Sequence, residues 1–331
     1  MINKNVLYVG TSIDGSTSKS RLDALKRKIR NVDVIESIDR TKISNKIKLK
    51  LNINFYEKIT DQLLMQYKKY DLIWFDKPTI IKRKTNEIIK EKKILLICHI
   101  TDDIDNKNHN MIELIKSLHL YDFIFTCNKL NIESYPNHNF FYNELGYDHN
   151  DYYFNIKNVK LSQQENLISF FGHYEKSYLN KIRNISDGIS SNFKLNIGGV
   201  GWWKVPTLFL NPKIKLKFGW INKEQMIREY KNSLACIGLY SEINRNLTSG
   251  RIFEMAALGL PIISKPNIIL DNLLEDSYIK LNNNYDDLND KLMNVEYLNS
   301  IRKKANNLIK EKKCSWSERI DECLKIIGYE K

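Results

Sequence analysis

The amino-acid sequence predicts an α/β protein built from two doubly wound parallel sheets, each with helices on both faces. Short apolar runs alternate with longer amphipathic stretches along the whole chain, which is the pattern of strands joined by crossover helices. The apolar runs fall into two sets separated by a polar segment. The length of 331 residues also suits two domains, since a typical domain has roughly 100–200 residues.

The first set of apolar runs predicts the strands of an N-terminal domain. Helical patterns separate most of these runs, for example at 60–70 and 111–121. Because consecutive strands are joined through helices, the sheet is expected to be parallel. The predicted strands cover 5–10, 33–38, 71–76, 93–100, 122–127 and 139–144.

A second set of runs predicts a C-terminal domain of the same kind. The polar stretch 146–166 lacks clear periodicity and indicates the boundary. We predict domains at 1–152 and 153–312, with an amphipathic last helix in 313–331 that packs back on the first domain. The predicted strands of the second set cover 167–172, 194–199, 214–220, 234–240, 260–265 and 278–281.

Composition and charge restrict the function. Lysine and arginine number 52 against 39 acidic residues, and the net charge of +13 favours nucleotides, nucleic acid or an acidic membrane surface as partners. The basic runs 81–84, 90–93 and 301–313 are predicted to be solvated helix faces; peripheral docking of one of them on the inner membrane face is the alternative. No apolar run approaches the ~18–20 residues of a membrane span.

The chain start and the cysteines favour a cytoplasmic location. The N-terminus runs straight into a strand pattern without the features of a signal peptide. Five scattered cysteines form no CxxC pair or Cys/His cluster, so neither disulfides nor zinc is indicated. We expect no metal and no cofactor.

The most informative stretch is NLTSGRIFEMAALGLPIISKP, residues 246–266. Thr248 and Ser249 are good N-cap residues and Gly259 is a stop signal, which predicts a helix over 249–258. Arg251 then lies in the first turn, where the helix dipole disfavours a cation unless an anion is bound there. Glu254 follows one turn later on the same side. Either this helix start binds a phosphorylated ribose, or the two charges form an ordinary i,i+3 pair.

Two loops of the first domain follow predicted strands and carry polar residues. GTSIDGSTSKS (10–20) has the glycine spacing of a P-loop, but Ser16 stands where lysine is required, so we reject a Walker A site. The segment is expected to be either a glycine-hinged strand-to-helix loop that faces the cleft between the domains or a plain structural turn. CHITDDID (98–105) offers a histidine and carboxylates for a general base or a metal, although a helix N-cap explains at least one aspartate.

Two loops of the second domain also end strands. GGVGWWK (198–204) combines glycines that allow close backbone approach with Trp202, which either stacks on a base or sugar or is a core residue. FFGHYEK (170–176) carries His173 and Lys176, which face phosphates or are structural.

Several segments resemble nucleotide-sugar glycosyltransferases of the GT-B fold, in which two Rossmann-like domains face a cleft. The most similar group is the spore-maturation-protein-like glycosyltransferases. The specific part is Thr248–Glu254 with Ala257 and Gly259, which resembles the T-x-R-x-FE-x-x-A-x-G segment of that group but has two residues between the threonine and the arginine. Supporting segments occur in the expected order at 100–110, 121–135, 144–153, 169–176, 195–203 and 314–324.

The resemblance implies a hexosyltransferase-type, metal-independent enzyme that moves a sugar from a nucleoside-diphosphate sugar to an acceptor hydroxyl in surface glycan or glycolipid synthesis. Glu254 would hold the ribose hydroxyls, and Arg251 with the amides of 249–251 would hold the diphosphate. We expect the C-terminal domain to bind the donor and the N-terminal domain to bind the acceptor. The predicted donor-binding residues are Gly172, His173, Gly199, Trp202, Tyr240, Thr248, Ser249, Gly250, Arg251 and Glu254.

The catalytic base is expected among residues of the first-domain loops. The candidates are Asp14, His99, Asp102 and Asp103. The E-x7-E pair of many retaining enzymes is incomplete, because Asn246 stands eight residues before Glu254, so retention and inversion both stay open. A nucleotide-sugar epimerase on the same fold and a non-enzymatic basic protein that binds nucleic acid or a membrane are the rival hypotheses; as an enzyme, the protein is expected to bind no nucleic acid.

Overall fold

A computed structural model describes residues 1–37, 55–106, 110–154, 165–242, 245, 247–281, 285 and 287–329. The chain forms two compact units. The first comprises residues 1–145, Arg245 and 316–331, and the second comprises 146–242 and 246–315, each within the described ranges. Each unit is an α/β layer structure with its own hydrophobic core.

The first unit contains a six-stranded sheet of order β2-β1-β3-β4-β5-β6. All its neighbouring strands are parallel. Strand order reverses between β1 and β3, which makes a doubly wound sheet with a switch point there. The strands are β1 (Ile2–Gly10), β2 (Ile29–Glu36), β3 (Leu72–Asp76), β4 (Leu95–Ile100), β5 (Phe123–Thr126) and β6 (Phe140–Tyr142).

Helices connect these strands, and one further helix from the end of the chain joins them. Ser16 caps the first helix by accepting the Lys19 amide, and Asn128 caps another by accepting the Leu130 amide. The helices are α1 (Thr17–Lys28), α2 (Phe55–Gln66), α3 (Arg83–Lys90), α4 (Ile112–Ser117), α5 (Lys129–Ser134) and, from the chain end, α13 (Trp316–Ile326).

The helix α13 packs on α1 around a buried ion pair. Arg21 donates from Nε and Nη2 to the Asp76 carboxylate at 2.6 and 2.9 Å, and both side chains are 3% exposed. Tyr8 donates its hydroxyl to the same carboxylate at 2.7 Å. The ring of Trp316 lies 4.9 Å from the Arg21 guanidinium carbon. A buried charge pair needs such additional partners, because its desolvation is costly, so α13 completes the first unit.

The second unit contains a six-stranded parallel sheet of order β12-β11-β10-β7-β8-β9. Its order is that of a dinucleotide-binding sheet, with the reversal between β7 and β10. The predicted fold class is confirmed, and each of the twelve predicted runs overlaps an observed strand. The strands are β7 (Glu165–Phe171), β8 (Lys194–Gly199), β9 (Ile214–Phe218), β10 (Ser233–Ile237), β11 (Ile262–Ser264) and β12 (Ile279–Lys280).

Helices flank this sheet, and short 3₁₀ turns at Trp202–Lys204 and Pro206–Leu210 lead into β9. Within the described residues, no helix is long and apolar enough to cross a membrane. The helices are α6 (His149–Tyr152), α7 (Lys176–Gly188), α8 (Lys223–Lys231), α9 (Gly250–Ala257), α10 (Ile268–Leu274), α11 (Leu288–Met293) and α12 (Val295–Glu311).

The boundary between the units follows Leu145, so 146–152 group with the second unit and not with the first domain of the prediction. Backbone hydrogen bonds explain this difference. Tyr147 donates its amide to the Cys314 carbonyl at 3.2 Å, and Phe154 donates to Ala257 at 3.0 Å. Residues 155–164 of the predicted boundary segment lie outside the described residues.

Candidate active site

The switch point of the second sheet brings two loops together. The loops that follow β7 and β10 leave the sheet in opposite directions, and ligands of such folds bind in the crevice that this creates beyond the strand ends. The loop after β7 is tied to the loop after β8, since Gly172 donates its amide to Gly198 and Tyr174 donates to Val200, each at 2.8 Å. The site is therefore built on backbone that is held by hydrogen bonds.

Two glycines allow these loops to approach closely. Gly199 has φ +132°, and a Cβ atom there would lie 2.1 Å from the Gly172 carbonyl oxygen. A Cβ atom on Gly172 would lie 3.0 Å from the guanidinium carbon of Arg251. Gly172 thus leaves the space in which Arg251 lies, 6.0 Å from the centre of the Phe170 ring. The start of α9 is in this way packed against the end of β7.

Helix α9 begins with polar groups that have no protein partner. Ser249 is its N-cap with extended backbone, as predicted, yet the Ser249 side chain makes no capping hydrogen bond. The hydroxyl oxygens of Ser249 and Thr248 are buried and, among the described residues, have no hydrogen-bond partner. Thr248 is only 4% exposed. Buried polar groups are nearly always satisfied, so this pair makes the start of α9 a candidate ligand site.

The charges of α9 do not neutralise each other. Arg251 and Glu254 are both partly exposed, and they do not form the i,i+3 ion pair that the sequence left open. Burial raises the pKa of the Glu254 carboxyl to about 7; Arg251 opposes this increase, and nearby Asp151 adds to it. The Asp151 carboxylate is itself bound by Lys223 Nζ at 2.6 Å. Glu254 is therefore a carboxyl group close to its titration point at neutral pH.

The opposite end of α9 is fixed by the long helix α12. The Asn306 amide group donates to the carbonyls of Ala256 and Ala257 at 3.1 and 2.9 Å. Arg302 donates from Nη1 to Gly259 at 3.3 Å and is 2% exposed. Arg302 is an exception within the basic run 301–313, which is predicted to be mostly solvated, because this side chain helps to satisfy the carbonyl end of α9.

Two other predicted donor residues lie at the same strand ends. His173 is exposed after β7, and its ring centre is 6.1 Å from that of Trp220. Tyr240 follows β10, with the Lys181 ammonium 5.3 Å from its ring centre. The sequence analysis missed Trp220, which is 42% exposed. Its position just after β9, at the carboxyl edge of the sheet, is the signal that would have found it.

The prediction that Trp202 contacts the donor is corrected by its burial. The indole is 0% exposed and packs against the rings of Phe170 and Tyr174, at 6.0 and 5.4 Å between centres. Its Nε1 donates to the Gly172 carbonyl at 2.8 Å. Trp202 is therefore a core residue, which is the second of the two possibilities in the sequence analysis. It packs against the loop after β7 from the inside of the second unit.

His99 is also corrected, because it is enclosed in the first unit. It is 1% exposed, and its ring stacks on Trp74 and meets the edge of Trp316, both at 6.3 Å. Burial lowers its pKa to about 3, and the positive charge of Arg21 lowers it further. A neutral ring without solvent access does not reach a substrate hydroxyl.

The three aspartates that the sequence analysis named as candidates for the catalytic base differ in exposure. The Asp103 carboxylate is 2% exposed and accepts from Arg245 Nη2 at 2.7 Å. Asp102 forms an ion pair with Lys77. Asp14, in the loop after β1 and beside the switch point of the first sheet, is exposed. In the part of the chain that the structure describes, no group of three His, Cys, Asp or Glu residues is placed to bind a metal.

Several solved structures share this architecture over the whole chain. An α-glucosyltransferase solved with UDP has a TM-score of 0.72 at 12% identity, over 98% of this chain and 100% of that one. HepE from Anabaena, solved with UDP and glucose, has a TM-score of 0.68 at 11% identity over 98% and 100%. Sucrose-phosphate synthase from Thermosynechococcus elongatus has a TM-score of 0.67 at 11% identity, over 98% of each chain. The fold is therefore GT-B.

A family model described as "Glycosyl transferase-like" matches residues 178–325, which include α9 and most of the second unit. The chain therefore has the GT-B fold, and residues 178–325 resemble glycosyltransferases in sequence. No curated protein sequence matches this chain. None of the comparisons supports the epimerase or the non-enzymatic basic protein, and membership of the spore-maturation-like group stays a prediction.

Proposed function

We propose that the protein is a glycosyltransferase that transfers a hexose from a UDP-sugar to a hydroxyl group of a surface glycan or glycolipid. The observation that carries the proposal is the start of α9, where two buried hydroxyls have no hydrogen-bond partner among the described residues and lie close to the side chains of Arg251 and Glu254. All of these groups lie at the switch point of the second sheet, where the fold binds its ligands.

The diphosphate binds at the amino end of α9. Backbone N–H groups of the first helical turn have no intrahelical acceptor, and with the helix dipole they favour an anion. The hydroxyls of Thr248 and Ser249 add donors, and Arg251 adds a charged one. As the sugar bond breaks, the same groups offset the charge of the leaving UDP, so the proposed reaction needs neither a metal nor another cofactor.

The ribose binds to Glu254. An ionised carboxylate accepts hydrogen bonds from two neighbouring hydroxyl groups. Desolvation at this position is what raises the pKa of Glu254, and ribose hydroxyls replace the lost water as hydrogen-bond donors. The uridine base is supported by the GT-B structures solved with UDP or UDP-glucose.

Asp14 is the remaining candidate for the catalytic base, since it is exposed and His99, Asp102 and Asp103 are enclosed or paired. We place the reaction in the cytoplasm, because the five cysteines are buried free thiols, as in a reducing compartment. Some α-glucosyltransferase structures contain DNA, so DNA belongs among the acceptors that are tested.

Calorimetric titration with UDP and 2′-deoxy-UDP tests the site. We expect the wild type to prefer UDP by about 10–100-fold, the value of one hydrogen bond to a charged group. In Glu254→Ala this preference falls to about one, because the partner of the 2′-hydroxyl is gone. Arg251→Met weakens both nucleotides but leaves uridine binding unchanged, because uridine has no phosphate.

Glu311→Ala is the matched control, since it removes an exposed carboxyl group from the end of α12. Binding of UDP must be unchanged in this variant. The proposal is refuted if no nucleoside diphosphate binds, or if Glu254→Ala keeps the preference for the ribose. Release of UDP from a panel of UDP-sugars, with and without glycan, glycolipid and DNA acceptors, then identifies the transfer.

A further inference from the structure

A second charged pair lies at the switch point of the second sheet, apart from the start of α9. Lys181 belongs to the second turn of α7, the helix that follows β7, and Glu242 belongs to the loop that follows β10. The Lys181 ammonium donates to the Glu242 carboxylate at 2.6 Å. The pair therefore joins the elements that follow the two strands between which this fold binds its ligands.

An aromatic ring belongs to the same group of side chains. The Lys181 ammonium lies 5.3 Å from the centre of the Tyr240 ring, two residues before Glu242. Tyr240 is partly exposed, and the side chains of Lys181 and Glu242 are 22% and 57% exposed. The three side chains are thus held by one another and are accessible from solvent. We call Lys181, Tyr240 and Glu242 the β10 group.

Tyr178 places the β10 group near Arg251. It lies on α7, one turn before the lysine of the group, and its ring is 5.6 Å from that of Phe170, beside which Arg251 lies at 6.0 Å. Burial raises the pKa of the Tyr178 hydroxyl, and Glu175 raises it further. The charge of Glu242 adds to this increase, whereas Arg251 opposes it. One hydroxyl group therefore lies within the electrostatic range of both Glu242 and Arg251.

The side chains of the β10 group suit a neutral sugar. A carboxylate accepts hydrogen bonds from neighbouring hydroxyl groups, and an ammonium donates to a hydroxyl oxygen. The tyrosine ring offers an apolar surface to the C–H groups on one face of a sugar. An acidic sugar fits less well, because its carboxylate meets that of Glu242 while the ammonium of Lys181 is already bound.

We propose that the β10 group binds the sugar of the donor and selects a neutral hexose against the corresponding uronic acid. The inference rests on the proposed function, because the sugar reaches this group when its diphosphate lies at the start of α9. Glu242 holds the hydroxyl groups and repels a carboxylate, and Lys181 partly offsets the charge of Glu242. The sequence analysis named Tyr240 and neither of the two charged residues.

Calorimetric titration of the full chain tests the selection. The ligands are UDP, UDP-glucose with UDP-glucuronate, and UDP-galactose with UDP-galacturonate; the members of each pair differ at carbon 6 of the sugar. We expect at least one of the two hexoses to raise the affinity above that of UDP. Its uronate should bind about tenfold more weakly than the hexose or worse, since like charges at a binding site are costly.

Two substitutions should change this selectivity in opposite directions. Glu242→Gln keeps the size of the side chain and removes its charge, so the hexose should bind about tenfold more weakly. The uronate should bind more tightly, because Lys181 is no longer neutralised, and the preference should fall to about one. Lys181→Met should increase the preference for the hexose, because nothing then offsets Glu242. Both variants should bind UDP like the wild type, since UDP carries no hexose.

Glu275→Gln is the matched control. The Glu275 carboxylate is also bound by a lysine, Lys304 at 3.0 Å, and is 46% exposed. It follows α10, which leads back to the amino ends of the strands, so this variant should bind all five ligands like the wild type. Unchanged melting temperatures show that the three variants fold.

The outcomes separate this inference from the proposed function. A wild type that binds no UDP refutes the proposed function and the inference with it. The inference alone is refuted if UDP binds but neither hexose adds affinity, or if each uronate binds as tightly as its hexose. It is equally refuted if Glu242→Gln keeps the wild-type preference, or if both variants change the preference in the same direction.

Discussion

The carboxyl group of Glu254 is predicted to reduce the stability of the protein at neutral and alkaline pH. The pKa of this group is raised from an ordinary value of 4.5 to about 7, mainly because burial penalises its charged form. Replacement by glutamine keeps the size and polarity of the side chain but removes the titration. Glu254→Gln should therefore stabilise the fold while it weakens binding of the proposed donor.

The direction of the pH dependence follows from whether the folded or the unfolded protein holds the proton on Glu254. Between pH 4.5 and 7 the folded protein keeps a proton on Glu254 that the unfolded chain has lost, so the free energy of unfolding of the wild type falls across this window. One pKa unit corresponds to about 1.36 kcal/mol, which sets an upper limit of about 3 kcal/mol. Water at the partly exposed carboxyl reduces this to about 1–2 kcal/mol.

Urea unfolding and thermal melting measure the effect. At pH 8 the glutamine variant should melt about 3–6 °C above the wild type, since 1 kcal/mol corresponds to about 2–4 °C for a chain of this size class. At pH 4 the two proteins should be nearly equal, because Glu254 is protonated in both the folded and the unfolded wild type. Comparison at each pH removes the contribution of all other titrating groups.

Glu311→Gln serves as the control, since it makes the same exchange of a carboxyl group for an amide at an exposed side chain. The reasoning is refuted if the difference between Glu254→Gln and the wild type is constant from pH 4 to pH 8. A variant that is less stable than the wild type at pH 8 would show that the Glu254 charge is compensated in the folded protein.

Three further substitutions test contacts that support the first unit and the candidate site. Arg21→Met leaves the buried Asp76 carboxylate without its cation and should lower the free energy of unfolding by about 3–5 kcal/mol in urea titrations; a loss below about 1 kcal/mol would contradict the geometry. Gly199→Ala places a Cβ atom against the Gly172 carbonyl at a strained φ, so we expect a cost of at least about 1–3 kcal/mol and reduced UDP affinity, and wild-type values for both would refute the close approach. Asn306→Ala removes one of the two hydrogen bonds that each of the Ala256 and Ala257 carbonyls accepts and should cost about 0.5–1.5 kcal/mol, with faster amide hydrogen exchange in α9; unchanged exchange would argue against this role.

Local sequence patterns were sufficient to predict the positions of the strands and of α9. Alternating apolar runs located all twelve strands, because each strand of a buried parallel sheet needs a continuous apolar stretch. Thr248, Ser249 and Gly259 located the ends of α9, which covers Gly250–Ala257 against a prediction of 249–258. The positions of the strands and of the helix ends depend on residues that are close together in the sequence, so the sequence alone is sufficient to predict them.

Side-chain direction was harder to predict because it depends on distant residues. Trp202 and Trp203 are adjacent, yet the first is buried and the second is 65% exposed, since a 3₁₀ turn directs them to opposite sides. His99 lies within the predicted strand 93–100, but the sequence analysis also placed it in the polar segment 98–105 at the strand end; β4 extends to Ile100 and keeps the imidazole inside. Arginine side chains are usually exposed, but Arg302 is buried because α12 crosses the end of α9. Asn246 lies outside the described residues.

Helix α13 has a consequence for the order in which the protein matures on the ribosome. The pair Arg21–Asp76 is synthesised early, but Trp316, which covers the guanidinium, emerges only after the entire second unit has been made. Domains usually fold in order as they emerge from the ribosome. In this protein the second unit is able to complete its folding before the N-terminal unit, because the last helix of the N-terminal unit is synthesised after the whole second unit. A nascent chain stalled before residue 316 should thus hold a folded C-terminal unit and an N-terminal one that is still sensitive to protease.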